Sequence, residues 1–116
     1  MTIAKIAELL EAEVHCGEEK MDTNIHSACG CDMMSDVLAY VKNQAVMLTG
    51  LVNPQVIRTA EMMDILCIVF VRGKKPTEAM IDLAKERSLT LLSTDKRMFS
   101  ACGILYENGL SDGGAG

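Results

Sequence analysis

The sequence predicts an α/β fold, namely a three-layer α/β/α sandwich built on a mixed, mostly parallel sheet. Residues 65–71 form an unbroken apolar run rich in β-branched types, and Gly73 and Pro76 follow it closely. This pattern is typical of a strand buried on both faces, and such a strand needs helices above and below its sheet. From residue 45 onward, strand and helix patterns alternate, which indicates parallel strands joined by right-handed crossovers.

The first part of the chain predicts a short helix and two brief strands. Thr2 is a suitable N-cap, and a helix is expected to follow it as far as about Ala12. The apolar residues on the inner face of this helix are Ile3, Ile6, Ala7 and Leu10. Residues 13–16 predict a short strand, and the alternating pattern of residues 24–31 favours a second one. Because these two strands are close in sequence, we expect them to form a hairpin.

The middle of the chain predicts a helix, a strand and a second helix. The first helix is expected to begin at Asp32 or Ser35 and to stop by Asn43, because apolar residues recur there at helical spacing. Residues 45–49 predict a short buried strand. The dipeptide Asn53-Pro54 is then a strong helix start, since asparagine caps a helix and proline at the first helical position loses no hydrogen bond.

The last part predicts two more helices around one strand. The run 65–71 is followed by a helix over residues 76–87 and a strand over residues 90–93. A final helix is expected to be capped by Thr94 or Asp95 and to end at Asn108-Gly109. The residues of this helix expected to face inward are Met98, Phe99, Cys102, Leu105 and Tyr106.

Length and composition restrict the class of protein. The chain has 116 residues, enough for one domain, predicted over residues 1–110 with a flexible tail over 111–116. Its formal net charge of −5 argues against a nucleic-acid-binding module. No apolar run is long enough to span a membrane, and the first residues lack the apolar stretch of a signal peptide. We therefore expect a cytoplasmic protein whose five cysteines are reduced thiols.

A candidate site lies where the predicted parallel strands end and helices begin. Ligands of open α/β sheets bind at this edge, where free helix N–H groups favour anions. A small anionic ligand is therefore expected, and the residues expected to bind it are Gly50, Asn53, Arg72, Gly73, Lys74, Lys75 and Thr94. The alternative is that these glycines turn the chain, the polar residues cap helices and the lysines are solvated, as in α/β proteins generally.

A second candidate is the group His26, Cys29 and Cys31, because cysteine and histidine are ligands of zinc and iron. On a strand, Cys29 and Cys31 would point to the same face. A Cys-x-Cys with one histidine lacks the second spaced pair of a typical zinc site, and small buried thiols explain it as well. This segment therefore leaves open a metal- or thiol-dependent redox module and a simple core position.

Catalytic motifs are absent from the sequence. It contains no Gly-x-x-x-x-Gly-Lys-Ser/Thr run, so no P-loop supports a kinase activity. It contains neither a Gly-x-Ser-x-Gly elbow nor a His-Glu-x-x-His helix, which are the marks of common hydrolases. We therefore expect no enzymatic activity and no cofactor.

Several segments resemble the DRTGG domain family. These segments are Thr2-Ile3-Ala4-Lys5-Ile6-Ala7, Met34-Ser35-Asp36-Val37-Leu38, Lys75-Pro76-Thr77, Ser93-Thr94 and Leu105-Tyr106-Glu107-Asn108-Gly109. The resemblance covers nearly the whole chain, which implies a stand-alone copy of the domain. It also implies a fold similar to the non-catalytic N-terminal domain of the HPr kinase/phosphorylase. Members of the family are usually attached to CBS or acyl-transferase domains, which implies a regulatory module.

The residues that name the family differ in this chain. Where the family places Gly-Asp-Arg after the middle strand, this chain has Gly50-Leu51-Val52. Where the family places Thr-Gly-Gly, it has Val71-Arg72-Gly73. The match at these two places is therefore limited to Gly50 and Gly73.

Together these features predict a non-catalytic regulatory or protein-interaction domain that senses a small anionic ligand at the carboxyl ends of its strands. The alternative function is the metal- or thiol-dependent redox module described above. Nine methionines in so small a chain suggest more apolar surface than one core needs. We therefore expect a homodimer, with a partner enzyme or signalling protein as the other possible use of that surface.

Overall fold

The computed structural model describes residues 1–34 and 44–111. Within this part of the chain, five strands form one sheet. The strands are β1 (Glu13–Cys16), β2 (Ser27–Gly30), β3 (Ala45–Thr49), β4 (Ile65–Phe70) and β5 (Thr90–Ser93). The α-helices are α1 (Ile3–Leu10), α2 (Pro54–Met62), α3 (Glu78–Glu86) and α4 (Met98–Glu107), and a short 3₁₀ helix occupies Glu18–Lys20.

The sheet is mixed and mostly parallel, as the sequence predicts. Its strand order is β1-β5-β4-β3-β2. The strands β2, β3, β4 and β5 run parallel, whereas β1 is antiparallel to β5, with Glu13 opposite Ser93. The predicted run 65–71 is confirmed as an interior strand, because β4 lies between β3 and β5.

The predicted hairpin of the two early strands is wrong, since β1 and β2 lie on opposite edges of the sheet. A hairpin needs a tight loop between its strands, but the connecting residues here pack along the start of α1. The amide of Ile3 donates to Thr23 O at 3.1 Å, and the amide of Ala4 donates to Met21 O at 2.9 Å. This connection takes the chain across the molecule from one sheet edge to the other.

Helices cover both faces of the sheet. On one face, α1 and α4 enclose a core of Ile3, Ile6, Leu10, Val46, Val69, Leu92, Ala101 and Leu105. On the other face, α2 and α3 enclose a core of Met47, Val56, Ile57, Ala60, Ile68, Phe70, Met80, Ala84 and Leu91. From Cys67 to Phe70, successive residues of β4 alternate between the two cores, and Ile65 and Leu66 also pack against them, which explains why this strand has no polar position. The three-layer α/β/α fold is therefore confirmed.

Three helices are capped by a polar side chain whose oxygen accepts a hydrogen bond from an amide in the first turn of the helix. Thr2 Oγ1 accepts a hydrogen bond from the Lys5 amide at 3.1 Å, and Asn53 Oδ1 accepts one from the Gln55 amide at 2.8 Å. Thr77 Oγ1 accepts from the Met80 amide at 3.2 Å, so α3 begins two residues later than the predicted start at 76. Caps of this kind satisfy N–H groups that have no partner within the helix.

The last helix differs from its prediction in its cap and in its orientation. Its N-cap is Arg97, whose side chain makes no capping hydrogen bond, so the expected cap at Thr94 or Asp95 is wrong. Phe99 is 90% exposed and Tyr106 is 73% exposed, although both are predicted to face inward. The helix instead turns its small and aliphatic side chains toward the sheet, and those that pack there are Met98, Ala101, Cys102 and Leu105.

Two predictions fall outside the described residues. One is the predicted helix that ends by Asn43, of which residues 35–43 are not described. The other is the predicted tail, of which residues 112–116 are not described. In the part of the chain that the structure describes, no helix is long and apolar enough to cross a membrane.

Candidate functional site

The carboxyl ends of the four parallel strands meet at one edge of the sheet, which we call the strand-end rim. The register pairs Gly30 with Leu48 and Thr49 with Phe70, and it pairs Phe70 with Ser93. The segments that follow β2, β3, β4 and β5 therefore emerge side by side. Because β1 runs the other way, its first residues reach the same rim.

Arg72 and Gly50 are in direct contact at the centre of the rim. A Cβ atom at Gly50 would overlap the Arg72 guanidinium, so the absence of a side chain at Gly50 lets the guanidinium pack against the end of β3. The guanidinium Nη2 is 3.6 Å from Asp32 Oδ2, and both side chains are about half exposed, at 47% and 49%. Two residues of the predicted site are thus brought together by a carboxylate that was not predicted.

Asp32 also closes the end of β3. Its Oδ1 accepts a hydrogen bond from the Gly50 amide at 2.7 Å and another from Thr49 Oγ1 at 3.1 Å. Thr49 is fully buried, so this carboxylate satisfies a hydroxyl that water does not reach. The same carboxyl group therefore stabilises the strand end with one oxygen and neutralises Arg72 with the other.

The turn after β4 is held rigidly beside the end of β5. Arg72 and Gly73 both adopt left-handed backbone conformations, with φ of 60° and 72°. The Arg72 amide donates to Lys96 O at 2.8 Å, and the Gly73 amide donates to Thr94 O at 2.9 Å. A left-handed arginine is uncommon, and here these main-chain bonds fix the conformation that directs its side chain over Gly50.

Two predicted site residues use their side chains within the protein. Thr94 is buried, and its Oγ1 donates to Leu10 O at 2.7 Å and accepts from the Lys96 amide at 3.2 Å. The amide oxygen of Asn53 is occupied as the cap of α2. These two residues shape the rim, and their side-chain oxygens are already hydrogen-bonded within the protein.

The two lysines of the predicted site lie on the loop that leads from β4 to α3. Lys75 Nζ is 2.8 Å from Glu13 Oε1, and the hydrogen bond to Glu13 raises the pKa of Lys75. The same contact lowers the pKa of Glu13. Lys74 is exposed, and it makes no ion pair with any residue that the structure describes. Lys74 therefore adds a solvated positive charge to this loop.

His15 connects the edge strand to the end of β5. Its Nε2 is 2.7 Å from Ser93 Oγ, and its Nδ1 is 3.7 Å from Glu13 Oε2, while its side chain is 10% exposed. The order Ser93, His15, Glu13 resembles a hydrolytic triad in outline. Ser93 is buried, however, and Glu13 lies closer to Lys75 than to the imidazole, so the group links two strands rather than presenting a nucleophile. Burial, reinforced by Lys75, lowers the pKa of His15.

The alternative site at the cysteines receives no support from the geometry. Among the described residues, no three His, Cys, Asp or Glu side chains are arranged to hold a metal ion. Burial raises the pKa of Cys29 to about 12, and burial likewise raises the pKa of Cys16 and Cys102. A thiol must ionise before it can attack or bind a metal, so burial disfavours such chemistry at Cys29, Cys16 and Cys102.

The sequence interpretation missed several residues of the rim. Asp32 lies two residues after the end of β2, so applying the strand-end rule to β2 as well as to the later strands would have included it. Glu13 and His15 carry no comparable signal, because only the pairing of β1 with β5 brings them to this edge.

Comparisons with known proteins agree with this fold. A family model described as the DRTGG domain matches residues 5–107. Among solved structures, the chain is similar to the CBS and DRTGG domains of the regulatory region of Clostridium perfringens pyrophosphatase, with 16% sequence identity and a TM-score of 0.75. That structure is a complex with an activator, diadenosine tetraphosphate. The match covers 97% of this chain and 48% of that chain, so this chain spans about half of that relative. No curated protein matches.

Proposed function

Because the chain belongs to the DRTGG domain family, we propose that it is a non-catalytic regulatory domain that binds a small anion at the strand-end rim. The observation that carries this proposal is the position of Arg72, whose guanidinium is half exposed and, among the residues that the structure describes, is paired at 3.6 Å with one half-exposed carboxylate, that of Asp32. That pair is long and solvated, and such pairs contribute little stability. A phosphate group can therefore replace Asp32 at the guanidinium at small cost.

Arg72 and Lys74 supply the positive charge that favours an anion at the rim, while the carboxylates of Asp32 and Glu13 offset part of the charge of Arg72 and Lys75. A guanidinium binds phosphate through two parallel hydrogen bonds, and Lys74 and Lys75 follow Arg72 after one intervening glycine, Gly73. These cations stand out because the whole chain is acidic, with a formal net charge of −5. A small anion that enters between the loops gains from them, whereas a long polyanion would also meet the acidic remainder of the surface.

The structural neighbour suggests which anions to test. Its description names diadenosine tetraphosphate as an activator bound to a regulatory region that contains a DRTGG domain. The resemblance shows the fold alone, so the ligand of that protein is a guide to probes for this one. We propose nucleoside polyphosphates as the ligand class. We also propose that the domain acts as a homodimer and regulates a partner enzyme or signalling protein in the cytoplasm.

A thermal-shift titration tests the site. Inorganic phosphate, ATP and diadenosine tetraphosphate are each added up to millimolar concentration, and a ligand that binds the folded state raises Tm by mass action. We expect at least one nucleotide to raise Tm. We expect Arg72→Ala and the double variant Lys74→Ala/Lys75→Ala to lose most of that rise while their Tm without ligand changes little. The matched control is Arg58→Ala/Lys85→Ala, which removes two exposed cations of α2 and α3.

The same titration contains the results that would contradict the proposal. If none of the three probes raises Tm at millimolar concentration, the domain does not sense such anions. If the control variant loses as much of the shift as the Lys74 and Lys75 variant, binding reflects general charge and not the rim. Release of phosphate from the nucleotides during incubation would contradict the absence of catalysis.

A further inference from the structure

We propose that two copies of this chain associate through the exposed face of α4, with their two α4 helices antiparallel across a two-fold axis. We call this surface the α4 face, and it consists of Lys96, Phe99, Ser100, Gly103, Ile104, Tyr106 and Glu107. The proposal rests on the homodimer included in the proposed function, and it names the surface that the homodimer would use.

The α4 face carries the two large aromatic side chains that are exposed in the described part of the chain. Phe99 is 90% exposed and Tyr106 is 73% exposed, and they are two turns apart on one side of the helix. Together with Ile104 they border a shallow depression. Exposed apolar surface of this kind marks interaction sites, and aromatic residues are common anchors at the centre of such sites.

Small residues at the middle of the face allow a second helix to approach closely. Gly103 is exposed, and a Cβ atom at this position would meet nothing within 4 Å. Ser100 lies one turn earlier on the same side. If two antiparallel helices cross between these positions, Ser100 of one copy faces Gly103 of the second copy. The same register brings Phe99 against Ile104 of the second copy, so the face is complementary to itself, as a two-fold interface requires.

The charges at the ends of the face identify a second copy as the occupant. Lys96 lies beside the start of α4 and Glu107 is its last residue, while the first turn has no acidic residue and the last turn no basic one. This is the reverse of the arrangement that the helix dipole favours. In the antiparallel pair, Glu107 of the second copy comes next to Lys96 and to the positive end of the dipole. The charges that are unfavourable in one chain therefore become favourable in the pair.

Sedimentation of the full chain over roughly 1–200 μM tests the proposal, since this range brackets the dissociation constants of small interfaces. We expect the wild-type chain to dimerise in this range. Phe99→Glu is expected to weaken dimerisation at least about tenfold, which corresponds to about 1.4 kcal/mol. Met62→Glu is the matched control, because Met62 is a 70% exposed apolar residue on α2, on the other side of the sheet. It is expected to leave the dimer unchanged. Circular dichroism confirms that each variant is folded.

Charge reversal tests the antiparallel arrangement itself. Lys96→Glu and Glu107→Lys each place like charges together and are expected to weaken the dimer severalfold. The double variant restores opposite charges and is expected to recover the wild-type constant. A double variant no stronger than either single one would overturn the antiparallel pairing, and a folded Phe99→Glu protein that dimerises normally would overturn the choice of surface. A wild-type monomer throughout the range would overturn the homodimer as well. The thermal-shift titration measures anion binding independently of these sedimentation experiments, so a failed dimer and a failed anion site are distinguished.

Discussion

Replacement of Asp32 by alanine should lower stability and strengthen anion binding at the same time. The carboxylate accepts hydrogen bonds from the Gly50 amide and from the buried Thr49 hydroxyl, and each bond is worth about 1 kcal/mol. The exposed ion pair with Arg72 adds little. We therefore expect the free energy of unfolding to fall by about 2 kcal/mol, or roughly 8 °C in Tm at about 4 °C per kcal/mol for a domain of this size.

The gain in binding has the opposite sign because the same substitution frees the Arg72 guanidinium. Phosphate or a nucleotide then no longer competes with a carboxylate 3.6 Å away, and we expect its dissociation constant to fall severalfold. Asp32→Asn separates the two effects, since its amide oxygen still accepts from Gly50 but carries no charge. This variant should bind the anion more tightly while losing less than about 1 kcal/mol.

Urea unfolding followed by far-ultraviolet circular dichroism measures stability, and calorimetric titration with the best nucleotide measures affinity. Asp82→Ala is the control, because Asp82 is an exposed carboxylate on α3 and should change neither quantity by more than the usual surface effect, about 0.5 kcal/mol. If Asp32→Ala is as stable as wild type, the carboxylate does not close the end of β3. If it binds the anion more weakly, Asp32 positions the Arg72 guanidinium for the anion and does not compete with it.

Three further predictions concern the fold. Burial lowers the pKa of His15 below its unfolded value of about 6.5, so the unfolded chain binds the proton first and stability falls as pH drops below about 6.5. In urea titrations between pH 8 and 5, His15→Gln should flatten this pH dependence of stability. An unchanged dependence in the variant would assign the effect to other titrating groups. Ile68→Asp should abolish folding, since Ile68 is fully buried and an unpaired buried carboxylate costs several kcal/mol; a cooperative thermal transition in this variant would refute the core assignment. Thr77→Ala should cost about 1 kcal/mol by removing the cap of α3, whereas Thr77→Ser, measured by the same urea unfolding, should not.

Much of the fold follows from short stretches of sequence. The start of α2 is determined locally, because Asn53 caps the helix through its own side chain and Pro54 occupies the first helical position. The central strand is equally local in origin, since a short apolar run rich in β-branched residues and followed by Gly73 and Pro76 is typical of a strand covered on both faces. The rim residues Gly50, Arg72 and Gly73 were predictable for the same reason, because parallel strands end at one edge.

Other features depend on which segments pack together, so the sequence could not determine them by itself. The edge position of β1 follows from its pairing with β5, and that pairing alone brings His15 to Ser93. The direction in which Phe99 points depends on how α4 rotates when Ala101 and Leu105 pack on the sheet, since helical spacing permits several apolar stripes. Local chemistry thus determined most of the elements and the place of Gly50, Arg72 and Gly73 at the rim. Packing between distant segments decided the sheet edges, the other residues of the rim, the partner of Arg72 and the exposed aromatic face.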